Sequence, residues 1–265
     1  MLDFPSSFAA WTAATAVPAF LGLTLVYLFG RLASAKYAAA FALGIFFWFF
    51  VDTIQGSSDL LVNVGFTGGI DQVGMVVLFA VGLIGLFLLD CRYAGGILTG
   101  SPAGFAVPVL AALAVGVHGF GEGTAFGSTA ALTPSTSIIN AFGGTSAGTS
   151  YALHKMLEPM MVGALYVGLK NGKEATGRNA FRDILVLTTL FVLPSLLGAA
   201  TGYYVSYDST YFFGLGTGTS IYAAIRLGKQ ALEGNGTSGR RDGVWMALVM
   251  TAGFILIYLA ALMHS

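Results

Sequence analysis

Eight stretches of this sequence are apolar for long enough to suggest crossings of a lipid bilayer, and that pattern restricts the fold more than any other feature. A helix needs about 20 apolar residues to cross the hydrocarbon core. The runs fall at 9–32, 37–55, 73–89, 103–129, 145–169, 184–204, 211–225 and 244–263, the seventh short and glycine-rich. In hydrocarbon each backbone amide must be satisfied within its own segment, so runs of this kind fold as helices. Only 9% of the 265 residues are charged and 56% are hydrophobic, against roughly 25% charged in soluble domains. The expected fold is all-α: a single transmembrane domain of eight helices over 1–265, with no soluble domain. The widest link, near 130–144, is small and polar. No Lys or Arg precedes Arg31, so the first run lacks a signal peptide's basic start and is expected to be a retained helix. The single cysteine, Cys91, excludes an intramolecular disulfide and a thiolate cluster. No basic run points to nucleic acid. The sequon at Asn235 and Thr237 is too short a motif to carry weight.

The basic residues suggest an orientation. Arg31 and Lys36 lie between runs one and two, and Arg92 between three and four. Lys170, Lys173, Arg178 and Arg182 lie between five and six, and Arg226, Lys229, Arg240 and Arg241 between seven and eight. These eleven of the twelve Lys and Arg residues fall on one side, which the positive-inside rule makes cytoplasmic. Both termini are then expected outside, in a cell-membrane protein. The other side carries Asp3, Asp59, Asp71 and Asp208, with Asp52 at or just below it. An acidic outer mouth concentrates cations, although a few outward acids also follow simply from excluding basic residues there.

Two helix turns inside the apolar runs are polar: His118-Gly-Phe-Gly-Glu122-Gly and His154-Lys-Met-Leu-Glu158-Pro. Each places a His and a Glu four residues apart, on one helix face. Ionised Glu122, Glu158 and Lys155 would each cost about 2.5–3.5 kcal/mol at a helix centre. Their total is on the order of the stability of a typical protein. Such groups need mutual pairing, a water-filled cavity or a bound cation. Runs four and five are antiparallel, so His118, Glu122, His154 and Glu158 can meet near mid-depth, in the way helical bundles build carboxylate–imidazole metal sites. The blander alternative is a His bonded to a backbone carbonyl beside a protonated Glu, twice over. Lys155 is three residues from Glu158 and within its reach. Pro159 cannot donate to the carbonyl of Lys155, which is then free to face a cavity or a cation.

These motifs resemble the ZIP (Zrt-/Irt-like) family of divalent metal-ion transporters, in the manner of a divergent prokaryotic-type member. The likeness extends to Phe212-Phe-Gly-Leu-Gly-Thr-Gly-Thr-Ser-Ile-Tyr222 for the seventh span and Leu193-Pro-Ser-Leu-Leu-Gly198 for the sixth. It also includes Ala42-Leu-Gly-Ile45 followed by Asp52 for the second. The resemblance implies eight spans, outward termini and an elevator-like motion of spans one, four, five and six against two, three, seven and eight. It implies a first metal site at His118, Glu122, His154 and Glu158, all present here. The family's second site also uses positions that here hold Gly119, Lys155 and Leu193, so a mononuclear centre follows, with the Lys155 ammonium standing in for the second cation.

The expected function is therefore movement of a divalent transition metal towards the cytoplasm. Zinc is the first guess, and iron(II), manganese and cobalt(II) are compatible with imidazole and carboxylate donors. The metal is cargo, no organic cofactor or enzymatic activity is expected, Asp52 is a candidate acid at the outer mouth, lipid surrounds the chain, and a homodimer is allowed. Rival readings are an intramembrane zinc hydrolase, a retinal-type photoreceptor prompted by Lys155, and a ZIP-like protein that binds metal without moving it.

Overall fold

The computed structural model describes residues 3–32, 34–56, 69–97, 104–132, 137–171, 179–205, 209–232 and 240–262. Asp59, Lys173, Arg178, Asp208, the sequon and His264 lie outside these residues. Every regular element among the described residues is a helix: α1 (Phe4–Leu32), α2 (Ala35–Gly56), α3 (Gly69–Tyr93), α4 (Ala106–Leu132), α5 (Ile138–Ala141), α6 (Thr145–Leu157), α7 (Met160–Asn171), α8 (Ala180–Tyr204), α9 (Thr210–Leu232) and α10 (Arg240–Leu262). Asp3 caps α1, its Oδ1 accepting from the Ser6 amide at 2.7 Å, and Asn179 caps α8 by accepting from the Phe181 amide at 3.0 Å. Threonines inside the apolar helices donate to the carbonyl one turn back, as Thr15 does to Trp11 and Thr188 to Ile184. The hydroxyls therefore enter apolar surroundings already satisfied.

Six helices are individually long and apolar enough to span a membrane: Phe4–Gly30, Ala35–Gln55, Gln72–Tyr93, Ala106–Leu132, Ala180–Tyr204 and Arg241–Leu262. A multi-pass membrane protein follows from these six. Two expected runs differ. The fifth is interrupted at Glu158 and Pro159, giving α6 of 13 residues and α7 of 12, because a proline cannot donate into the helical ladder. The seventh continues well past 225 as α9, to Leu232. Arg226, expected in a loop, is instead a buried helical residue. Its guanidinium pairs with Asp90 of α3. Asp90 Oδ1 also accepts from the Tyr222 hydroxyl at 2.7 Å, so a carboxylate on α3 and a cation on α9 neutralise each other. Lys229 likewise belongs to α9 and donates to the Ile97 carbonyl at 2.6 Å.

The helices pack in two sets. α1, α4, α6, α7 and α8 adjoin one another, as do α2, α3, α9 and α10, and α9 lies at the junction against α4 and α7. The α4–α8 seam is made by glycines: a side chain at Gly123 would collide with the Ser195 carbonyl, and one at Gly198 with the carbonyl of Phe120. Such small-residue seams let helix backbones meet where hydrocarbon offers no hydrophobic drive to association. The outer faces of α3 and α10 are apolar and exposed, through Val73, Val81, Ile84, Leu88, Leu248, Ile255 and Leu259. That is the pattern of a surface solvated by lipid rather than water.

Candidate metal centre

α4 carries His118 and Glu122 one turn apart, α6 carries Tyr151, His154 and Lys155, and Glu158 sits in the break before α7. One ligand atom each from His118, Glu122 and Glu158 lie within 4.8 Å of one another. Glu122 uses its two oxygens differently. Oε1 stands 3.4 Å from His118 Nε2, while Oε2 pairs with the Lys155 ammonium. Lys155 Nζ also donates to Glu158 Oε2 at 2.7 Å. A buried ammonium is thus shared between two carboxylates, and it lies 5.7 Å from the ring centroids of both Tyr151 and Phe191. Ion pairing and aromatic faces offset its desolvation.

The imidazole of His118 is in a different state. It is 1% exposed, and among the described residues neither ring nitrogen makes a hydrogen bond, Nε2 having only Glu122 Oε1 at 3.4 Å. Buried polar groups are nearly always bonded, so two unbonded nitrogens beside two carboxylates make this group the candidate centre. The ring lies between Phe49, at 4.9 Å and 82°, and Phe213, at 5.0 Å and 50°. A cavity of about 320 Å³ reaches it, lined by Asp52, Gln55, His118, Glu122, Tyr151, His154 and Phe213. At about 30 Å³ per water this holds a hydrated ion.

The structure brings three of the four expected ligands together. The fourth, His154, lies on the cavity wall and is not in the group of three. Helical geometry gives the reason. At 100° per residue, His154 is about 40° to one side of Glu158 and Lys155 about 60° to the other, and the Glu158 carboxylate is turned to the lysine. Asp52 lines the same cavity from the end of α2, where it is exposed. Gly119 does face the centre: a Cβ there would lie 3.8 Å from Glu122 Oε2. Leu193 does not. It is 45% exposed and lines an apolar groove of about 410 Å³ between α1 and α8. The α8 residue next to the α4 motif is Ser195, whose Oγ accepts from Trp11 Nε1 at 3.0 Å.

Phe49, Tyr151 and Phe213 were not among the residues the motifs singled out. Tyr151 had a signal, standing three and four residues before His154 and Lys155 on the same helix. Its hydroxyl lies 3.0 Å from Thr15 Oγ1; the Thr15 proton goes to the Trp11 carbonyl, so Tyr151 is the donor. Trp11 stacks on the Tyr151 ring at 4.6 Å, so α1 packs against this wall of the cavity. Phe49 and Phe213 come from helices far away in sequence, and no local spacing points to them. Comparison of the sequence with models of known protein families, and with curated proteins, finds no match to either.

Proposed function

We propose that this chain carries a divalent transition metal ion across a membrane, on a plan like that of the ZIP family. The observation that carries the reading is the convergence of His118, Glu122 and Glu158 within 4.8 Å, two of them lining a cavity shared with Asp52 and His154, inside a bundle whose outer face is apolar. Imidazole nitrogen with carboxylate oxygens suits zinc first, and iron(II), manganese or cobalt(II) next. His154 and Asp52, on the walls of the cavity, are candidates to meet the ion before it reaches the three.

The centre takes one metal. Glu122 Oε1, on the His118 side, and the free valences of Glu158 are the acceptors available to it, while Oε2 of both carboxylates is held by Lys155. With both carboxylates ionised, the lysine leaves one net negative charge for a dication to meet. A second dication in the same place would be opposed by the ammonium at short range. In this reading α6 and α7 together make one crossing and α9 another, for eight in all. The loops rich in Lys and Arg face the cytoplasm, both termini face out, and the ion moves inward. In this reading the two sets of helices move against each other, as the resemblance implies.

Uptake by the full chain in sealed proteoliposomes, across zinc, iron(II), manganese and cobalt(II), tests the reading. Uptake that saturates with one of these ions and vanishes with both glutamates replaced by Gln is expected. Liposomes carrying folded protein that take up none of the four would overturn it.

A further inference from the structure

A histidine that binds metal ordinarily passes its other ring nitrogen to a carboxylate, a backbone carbonyl or a water, and that bond sets the ring. His118 makes no hydrogen bond to a described residue: both nitrogens are buried, and Nε2 has only the Glu122 carboxylate at 3.4 Å. The ring is nevertheless confined. Phe49 from α2 meets it edge to face at 4.9 Å and 82°, and Phe213 from α9 leans on it at 5.0 Å and 50°. Phe213 also rests on the α4 backbone, since a Cβ on Gly121 would lie 3.3 Å from its ring. One turn further on, Gly216 brings α9 onto His118 itself, where a Cβ would approach the His118 Cα to 2.7 Å. Residues 213 and 216 lie on one face of α9, and that face grips the backbone and the ring of His118 together.

We infer that Phe49 and Phe213 are positioning residues for His118, doing by ring contact what a hydrogen bond does elsewhere. The inference rests on the metal reading above and adds a consequence to it. Both rings belong to the helix set that holds α2 and α9, whereas His118 belongs to the set that holds α4. The orientation of the ligand therefore depends on the register between the two sets, and the centre binds best when Phe49 and Phe213 flank the imidazole.

The test uses the full chain purified in detergent with Co²⁺ as the probe, because its visible absorption reports ligand geometry. The unaltered protein should bind one Co²⁺ with a visible band that is lost in His118→Ala. Phe213→Leu should weaken Co²⁺ by about tenfold, the low end for loss of a ligand's outer support, and should shift the band. Phe49→Leu should act in the same direction. Phe213→Tyr keeps the ring and should stay within about twofold of the original, and Phe87→Leu, beside Tyr222 and away from the centre, should leave the band unmoved. If either leucine variant is not recovered folded, the other and the Tyr variant decide. Unaltered affinity and band in the leucine variants, with His118→Ala still abolishing both, would overturn the positioning role alone. Absence of Co²⁺ binding by the unaltered protein, or binding indifferent to His118, would overturn the metal reading and this inference with it.

Discussion

Two clusters of charge are buried in this molecule, and they are built differently. Around Asp90, one oxygen accepts from Tyr222 and from two nitrogens of Arg226. The cation and anion match one to one, and the cluster joins α3 to α9. Around Glu122 and Glu158, one ammonium faces two carboxylates, a buried imidazole has no bond, and a cavity of about 320 Å³ opens on the group. The first cluster balances its charge within the protein, although Asp90 Oδ2 makes no hydrogen bond among the described residues. The second sets two carboxylates against one ammonium and has a cavity beside it. Neither burial of charge nor one unbonded oxygen distinguishes a staple from a candidate site; the excess of carboxylates over cations and the adjacent space do.

The comparison can be broken most directly at the carboxylates. Glu122→Gln with Glu158→Gln should abolish metal uptake in proteoliposomes while the protein still reaches the membrane folded. Uptake unchanged in that variant would remove the centre from function.

The staple should answer in stability instead. Replacing Arg226 by Met strands the Asp90 carboxylate in apolar surroundings, at a loss of about 3–5 kcal/mol. Thermal unfolding in detergent should fall accordingly, with Co²⁺ affinity per folded molecule unchanged. A variant as stable as the original, or one that loses metal, would mean the two clusters are not separate in role.

Lys155 is the group that makes the second cluster resemble the first. Lys155→Met should leave the two carboxylates without a protein cation. Metal affinity should then become more dependent on pH, at a stoichiometry still near one. Lys155→Asp should raise the count towards two. Two metals in the unaltered protein would show that the ammonium does not stand in for a cation.

The clusters should also differ in access. Cys91, next to Asp90 in sequence and exposed, is expected on the cytoplasmic side. An impermeant thiol reagent should label it only after sealed cells are opened. Equal labelling before and after would put the staple at the outer end.

The smallest effect should come from a charge in neither cluster. Asp3 is exposed, and the Ser6 amide bonded to it lowers its pKa below the ordinary 3.8. Its capping stabilisation is present above that ordinary value and is lost as the pH falls through the lowered one. Asp3→Ala should therefore shift unfolding only slightly at neutral pH, and leave both clusters as they were.

Much of this arrangement was legible in the sequence, unevenly. The helical class and its apolar surface follow from composition, and the polar turns at His118 and His154 marked, by their expense, where a buried polar cluster would form. The pairing of Lys155 with Glu158 followed from a spacing of three. The turning of Glu158 away from His154 did not, because helical angles allow either neighbour and the choice is made by Glu122 arriving from α4. The orphaned state of His118 was equally invisible, since it depends on Phe49 and Phe213 coming from other helices. Arg226 was assigned to a loop because an arginine next to an apolar run reads as its end. Only the partner on α3 shows that the helix continues.

The low apolarity of α9 also bears on how the chain is made. Its small and hydroxylated residues, Gly214 to Ser220, are buried against other helices, and α9 is not among the six that qualify on apolarity alone. Machinery that sorts nascent segments by their partition into lipid would hold such a segment only weakly. Its neighbours α2, α3 and α4 all precede it in the chain, so the surface it needs has been synthesised by the time it emerges. On the proposed plan of eight crossings, order of synthesis more than hydropathy brings the grip on His118 into the bilayer.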